Sequence, residues 1–158
     1  MRGLIHSDVG LIHLISSMTA LVFGTWVLMI RKGTRFHRFL GYTYTFSMLL
    51  LNGTAFMIYD PFGGFGPFHF ASIISLITLT MGFIPVLTRR PINRWLDNHL
   101  AWMYFSVIGL YAAFFSEIFS RIPETPFFGM VGISSVVVLA VGIFLFLRMR
   151  RVWINSLP

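Results

Sequence analysis

The sequence predicts an all-α integral membrane protein that crosses the bilayer five times. Of its 158 residues, 56% are hydrophobic and only 11% are charged, whereas a soluble domain carries about 25% charged residues. Five apolar stretches each approach the roughly 20 residues that a helix needs to cross a membrane. Because the connections between them are short, we expect a single membrane domain over residues 1–158.

The five spans are predicted as helices over about residues 9–30, 39–59, 68–88, 99–119 and 127–147. The connections contain residues that favour turns and charges, as in "RKGTRFHR", "DPFGGFGPF", "RRPINRWLDN" and "RIPETP". We expect the first four helices to form a four-helix bundle core and the fifth to pack at its periphery. Asn52 is the one amide in the middle of a span, and it predicts an interhelical hydrogen bond.

The basic residues predict the orientation of the chain. Those on one side of the predicted bundle are Arg31, Lys32, Arg35, Arg38, Arg89, Arg90, Arg94, Arg148, Arg150 and Arg151. Only Arg2 and Arg121 fall on the other side. Basic residues accumulate on the cytoplasmic side of membrane proteins, so the N-terminus is predicted outside and the C-terminus in the cytoplasm. Since topology accounts for the positive charge, we expect membrane lipids and no nucleic acid as partners.

Four histidines fall at two predicted depths in the membrane. His13 lies at the outer end of the first span, and His69 opens the third span on the same side. His37 and His99 open the second and fourth spans on the cytoplasmic side. The first and third spans thus each run from an outer histidine to a basic loop and an inner histidine. This similarity indicates a repeat about an axis along the membrane normal.

A stripe of small residues follows His13 on its own helical face. Ser17, Ala20 and Gly24 stand four, seven and eleven residues further along the chain, which places them near the same side of a helix. Small residues let helices approach closely, and they also leave space for a flat macrocycle. The sequence leaves both explanations open.

The paired histidines predict a haem protein. Haem iron can take one imidazole on each face, and facing helices of a bundle can supply both. The pairs His13–His69 and His37–His99 therefore predict one or two b-type haems that carry electrons across the bilayer, as in a membrane oxidoreductase. Arg38 would pair with a haem propionate, since Arg suits carboxylate geometry. The electron donor, the acceptor and any homo-oligomer stay open.

Two alternatives compete with the haem hypothesis. In the first, Glu117 shares a helical face with His99 and is predicted at the depth of His13 and His69. Two imidazoles and a carboxylate suit Zn or Fe. These three residues would then form the site of a metal-dependent membrane enzyme or a metal-binding protein. Glu117 also precedes Arg121 by four residues, a spacing that favours an ion pair on a helix. In the other alternative, the chain is a structural or assembly factor without a cofactor, and its histidines lie at the membrane interface.

Four segments resemble the bacterial multi-pass membrane proteins grouped as DUF2306, over about residues 10–122. They are "IHLISSMTALVFG", "GTRFHRFLGYTYTFSMLL", "FGPFHFASIISLITLTMG" and "HLAWMYFSVIGLYAAFFSEIFSR". The resemblance implies a location in the plasma membrane (the bacterial inner membrane) and brings no established activity. Across the first four spans, the histidine arrangement is also similar to that of diheme transmembrane b-type cytochromes. Those cytochromes have two flanking helices where this sequence predicts one.

Overall fold

The computed structural model describes residues 7–59 and 63–155, and within these ranges all regular structure is helical. The helices are α1 (Asp8–Met29), α2 (Arg35–Ala55), α3 (Pro67–Thr88), α4 (Trp95–Phe119) and α5 (Phe127–Asn155). The all-α prediction is therefore confirmed for this part of the chain. Arg2, which entered the orientation argument, lies outside the described residues.

Four of the described helices are long and apolar enough to cross a bilayer, namely α1, α3, α4 and α5 as far as Ile154. A membrane protein is thus supported by length and composition. Helix α2 has 21 residues but is more polar. Its hydroxyls are accommodated within the helix, since Thr45 Oγ1 donates to Gly41 O at 2.8 Å and Ser47 Oγ to Thr43 O at 2.9 Å. Such bonds to the preceding turn satisfy polar side chains without a partner outside the helix.

Four helix boundaries differ from the predicted ones by four or more residues, and one of them is the end of α2, which lies at Ala55 and not at residue 59. Helix α2 begins at Arg35 because Thr34 caps it, with Thr34 Oγ1 accepting the backbone N–H of His37 at 3.0 Å. Helix α4 begins at Trp95. Helix α5 continues to Asn155, since no Gly or Pro interrupts residues 143–155. His37 and His99 consequently lie within the first two turns of their helices.

The chain divides into two compact units, residues 1–77 and 78–158, with the boundary inside α3. In the first unit α1 packs against α2, with Ala20, Leu40 and Tyr44 buried in its core. The predicted interhelical bond of Asn52 is confirmed, because Asn52 Nδ2 donates to Ser75 Oγ of α3 at 3.1 Å. Its other acceptor is the carbonyl of Met48 in its own helix.

In the second unit α4 packs against α5. The two helices are joined by polar contacts in an apolar setting, where the Tyr104 hydroxyl donates to Gly142 O at 2.8 Å. One turn from the far end of α4, Ser116 Oγ lies 2.9 Å from Ser134 Oγ and 3.1 Å from Ser135 Oγ. Small and hydroxyl-bearing residues at such interfaces let membrane helices approach closely and bond to each other.

Large apolar side chains face outward on all of these helices. The exposed fraction reaches 80% for Met29, 64% for Phe46, 73% for Leu87 and 70% for Phe128. Buried side chains include the small polar residues Ser16, Ser47, Ser72, Ser106, Ser116 and Ser134. Extended apolar surface of this kind would be unfavourable in water, and a hydrocarbon environment removes that penalty.

Candidate functional site

The segment Gly66-Pro67-Phe68-His69 places His69 in the first turn of α3. Pro67 is the first helical residue, where its missing N–H is not needed and its fixed φ suits a helix. His69 Nδ1 accepts the backbone N–H of Gly66 at 3.1 Å, and the backbone N–H of His69 donates to Gly66 O at 3.0 Å. The side chain at the third helical position thus reaches back to the residue before the helix. In a capping box, a Glu or Gln side chain makes this contact.

This contact determines which nitrogen of His69 carries the proton. A backbone N–H can only donate, so Nδ1 must accept, and a neutral imidazole then holds its proton on Nε2. His69 is only 4% exposed, and its Nε2 is buried without a hydrogen-bond partner among residues 7–59 and 63–155. A buried donor left without an acceptor costs about 1–3 kcal/mol. Most buried polar groups are paired, so this atom needs an explanation.

Three aromatic rings surround the imidazole, and we call them the His69 cage. The ring of Phe65 stacks on it at 4.5 Å between centroids with an interplanar angle of 27°. The rings of Tyr59 and Phe56 lie at 5.1 Å and 6.3 Å. Together with the Gly66 contact, these rings fix both the position and the orientation of the imidazole.

His13, on α1, has the opposite proton arrangement. Its Nδ1 lies 3.0 Å from Oγ1 of Thr54 on α2. The single hydroxyl proton of Thr54 is directed at the carbonyls of Leu50 (2.8 Å) and Leu51 (2.9 Å). The hydroxyl oxygen therefore accepts from Nδ1–H of His13, and the lone pair lies on Nε2. The ring is half-buried.

His99, on α4, shares this arrangement with His13. Its Nδ1 donates to the backbone carbonyl of Gly82 at 2.8 Å, because a carbonyl oxygen can only accept. Gly82 allows the close approach of the two helices, since a Cβ at this position would lie 2.6 Å from Sδ and 3.3 Å from the backbone N of Met103. Histidines that bind metals generally donate their other ring N–H to a carbonyl or similar acceptor. His13 and His99 both meet this condition.

His37 and Arg38 open α2 next to one another. His37 is half-buried and Arg38 is exposed. Their backbone N–H groups donate to Thr34, that of His37 to Oγ1 and that of Arg38 to the carbonyl oxygen at 3.1 Å. His37 belongs to the first compact unit and His99 to the second.

Glu117 forms an ion pair with Arg121. The distance between Arg121 Nη2 and Glu117 Oε1 is 2.6 Å, and both side chains are partly exposed. This is the helix-end pair that the spacing of four residues favours. Across the part of the chain that the structure describes, no three His, Asp or Glu side chains are grouped so as to hold a metal ion.

Lys32 was not singled out from the sequence, yet its side chain is buried. Its Nζ donates to the carbonyls of Val27 at 2.8 Å and Leu28 at 2.6 Å. The ammonium group thus satisfies acceptors at the C-terminal end of α1, which otherwise lack helical partners. Burial lowers the pKa of Lys32 to about 8. A lysine just after a helix is the sequence signal for such a contact.

One comparison with known proteins gives a match. The model of a family described as "Predicted membrane protein (DUF2306)" matches residues 10–154, beyond the segments that carry the resemblance above. No curated protein and no solved structure matches the chain. The family description gives a membrane location in general terms and names no activity.

Proposed function

We propose that this chain, which belongs to the DUF2306 family of predicted membrane proteins, binds b-type haem and carries electrons across the bacterial plasma membrane. In this proposal the N-terminus lies outside and α2 is a fifth span. One observation supports haem above all: the Nδ1–H of His13 and of His99 is each held by a protein acceptor, as in histidines that bind metals through Nε2.

Bound haem would supply one-electron chemistry, and the protein would supply ligands, orientation and a dry environment. Thr54 orients the His13 ring, and the Gly82 carbonyl orients that of His99. The second ligands proposed from the sequence are His69 and His37. For His69 to bind iron through Nε2, its Nδ1 must gain a proton, and the Gly66 N–H contact must then be given up.

The proposal is tested by absorption spectra of the purified protein in detergent, oxidised and then reduced, after expression with haem supplied. We expect a sharp reduced b-type spectrum and iron near one or two per chain. His13→Ala should remove one haem, and His99→Ala should remove a second if two are bound. Ile12→Ala changes the exposed neighbour of His13 and should leave the spectrum unchanged.

The same samples separate the two alternatives. A colourless protein that contains zinc or iron, and loses it on Glu117→Gln, would indicate a metal site at His13, His69 and Glu117 and would contradict haem binding. That outcome requires Glu117 to leave its ion pair with Arg121. A colourless protein without metal would contradict both cofactor hypotheses and indicate the structural or assembly role.

A further inference from the structure

We propose that the buried Nε2–H of His69 binds the carbonyl oxygen of a membrane-soluble molecule, either a quinone ring or the ester group of a lipid. The site consists of Nε2 of His69 and the His69 cage. The proposal applies to the protein without iron at His69, because an Nε2 that binds iron has no proton to donate. It does not require haem binding, since the protein can make this hydrogen bond without any cofactor.

The chemistry of the site selects an acceptor. Gly66 N–H occupies Nδ1, so the other nitrogen presents a proton and not a lone pair. His69 is only 4% exposed, and its Nε2 lacks a partner among the described residues. An incoming oxygen atom would accept from this donor and remove the free-energy cost of burying it unpaired. The occupant is therefore an acceptor, whereas a metal ion would need the lone pair.

The surroundings favour an acceptor carried by an apolar molecule over a water molecule. A buried water typically needs roughly two to four polar partners, whereas in the His69 cage Phe56 and Phe65 offer only carbon atoms and Tyr59 adds a single hydroxyl. These rings suit a flat or apolar neighbour. A carbonyl satisfies Nε2–H with one bond and needs no further donor.

The position in the fold favours a molecule dissolved in the bilayer. His69 is in the first turn of α3, one of the helices long and apolar enough to cross a membrane. The end of such a span lies where the hydrocarbon core meets the polar headgroup region. Ester carbonyls of phospholipids lie at this depth, and a quinone ring on an apolar tail reaches it as well.

The experiment measures the Nε2–H signal of His69 by NMR in protein labelled with 15N-histidine and free of cofactor. The protein is placed in nanodiscs of a diether phosphatidylcholine, which has no ester carbonyl, and is titrated with a short-chain ubiquinone analogue. We expect a saturable downfield shift of the Nε2–H proton. The signal is assigned by its loss in His69→Phe.

Variants show whether the Nε2–H donor of His69 is responsible for quinone binding. His69→Phe keeps a ring and removes the donor, so it should weaken quinone binding about tenfold, as for one lost hydrogen bond. His69→Gln keeps an amide donor and should retain most of the affinity. Ile74→Phe adds the same ring on the exposed side of α3 and should bind as the wild type does. Equal affinity of His69→Phe and the wild type would overturn the quinone arm.

A parallel sample in diester phosphatidylcholine distinguishes the two sources of the carbonyl. If the downfield signal is present there before quinone is added and absent in the diether lipid, the lipid ester is the ligand and the proposal holds. If the signal is the same in both lipids and quinone does not move it, no carbonyl is bound and the proposal is overturned. His69→Gln supplies the same assignment if His69→Phe does not fold, and a failure to bind haem would not affect the titration, which is made without cofactor.

Discussion

The partner of Nδ1 determines what the Nε2 of each imidazole can do. At His13 the Thr54 hydroxyl accepts from Nδ1, whereas at His69 the Gly66 amide donates to it. The Nε2 of His13 therefore carries the lone pair that a metal ligand needs, whereas the Nε2 of His69 carries a proton that it can donate. Two residues that the sequence assigns the same role thus differ by the position of one proton.

Thr54→Val tests whether the Thr54 hydroxyl orients the His13 ring for metal binding. Valine has nearly the same shape but cannot accept from Nδ1–H of His13, so the ring loses its orientation. We expect haem affinity to fall about tenfold or more, as for other lost partners of metal ligands, in a haem titration followed by absorbance. Thr43→Val removes an exposed hydroxyl that bonds only within α2. If both variants bind haem equally, Thr54 does not hold His13 for ligation.

Lys32 predicts a dependence of stability on pH. Its pKa is about 8 in the folded protein against 10.5 for an ordinary lysine, so between these values the unfolded chain binds more protons. The free energy of unfolding should therefore rise as pH increases from about 8 to 10.5, by up to roughly 3 kcal/mol. Denaturant unfolding in detergent across this range measures the change.

Lys32→Met provides the control, because it removes the titrating group and should flatten this part of the pH profile. A direct measurement is also available. Lys32 is the one lysine in the sequence, so 15N-lysine labelling gives a single Nζ signal whose titration reports its pKa. A midpoint near 10.5 in the folded protein would contradict the burial of the Lys32 ammonium group.

At the level of helices, Gly82 tests the packing of α4 against the second half of α3. A Cβ there would meet Met103 at 2.6 Å from its sulfur and 3.3 Å from its backbone N. Gly82→Ala should therefore destabilise the protein by about 1–3 kcal/mol, as overpacking generally does. Gly109→Ala, on α4, meets nothing within 4 Å and should be neutral or stabilising by up to about 1 kcal/mol. Unfolding in detergent compares them.

The cause of the Gly82 effect can be checked with a double variant. Met103→Ala removes the sulfur that the new Cβ would meet, so Gly82→Ala should cost less in that background. An equal cost in both backgrounds would mean that another contact limits the position. His99 also bonds to Gly82 O. If Gly82→Ala separates the two helices, its haem affinity should therefore fall together with its stability.

The sequence predicts the helices well because apolar runs of this length have few other stable arrangements in a membrane. It places their ends less well, because ends depend on caps such as Thr34 and on the continuity of α5 past residue 147. The candidate histidines are all found on helices as expected. Their proton positions could not be predicted, since these follow from the Thr54 hydroxyl and the Gly82 carbonyl, partners 41 and 17 residues away. The His69 contact is local, and the segment "GPFH" carries its signal.

At the level of the whole molecule, the proposed topology can be tested by cysteine labelling, because the natural sequence contains none. With the N-terminus outside and five spans, Gly64→Cys and Thr125→Cys lie outside, and Arg31→Cys and Ile92→Cys lie in the cytoplasm. In intact cells a membrane-impermeant maleimide should label only the first two. Labelling after permeabilisation shows that all four are reactive.

A different pattern of labelling would show which part of the proposed topology is wrong. Labelling of only Arg31→Cys and Ile92→Cys would mean that the orientation is reversed. If Gly64→Cys and Arg31→Cys behave alike, either both labelled or both protected, α2 does not cross. Helix α2 is the element for which this matters most, since its length suits a span and its composition is more polar.

The burial of Lys32 leaves arginine alone to carry the positive charge at the surface. Every other basic residue among the described ones is an exposed arginine, and a guanidinium stays charged at any physiological pH. The arginine charge that the described residues present at the surface should thus stay constant from neutral to moderately alkaline pH. It should also be insensitive to lysine acetylation, because the chain presents no exposed lysine ammonium on which an acetyl group could cancel a charge.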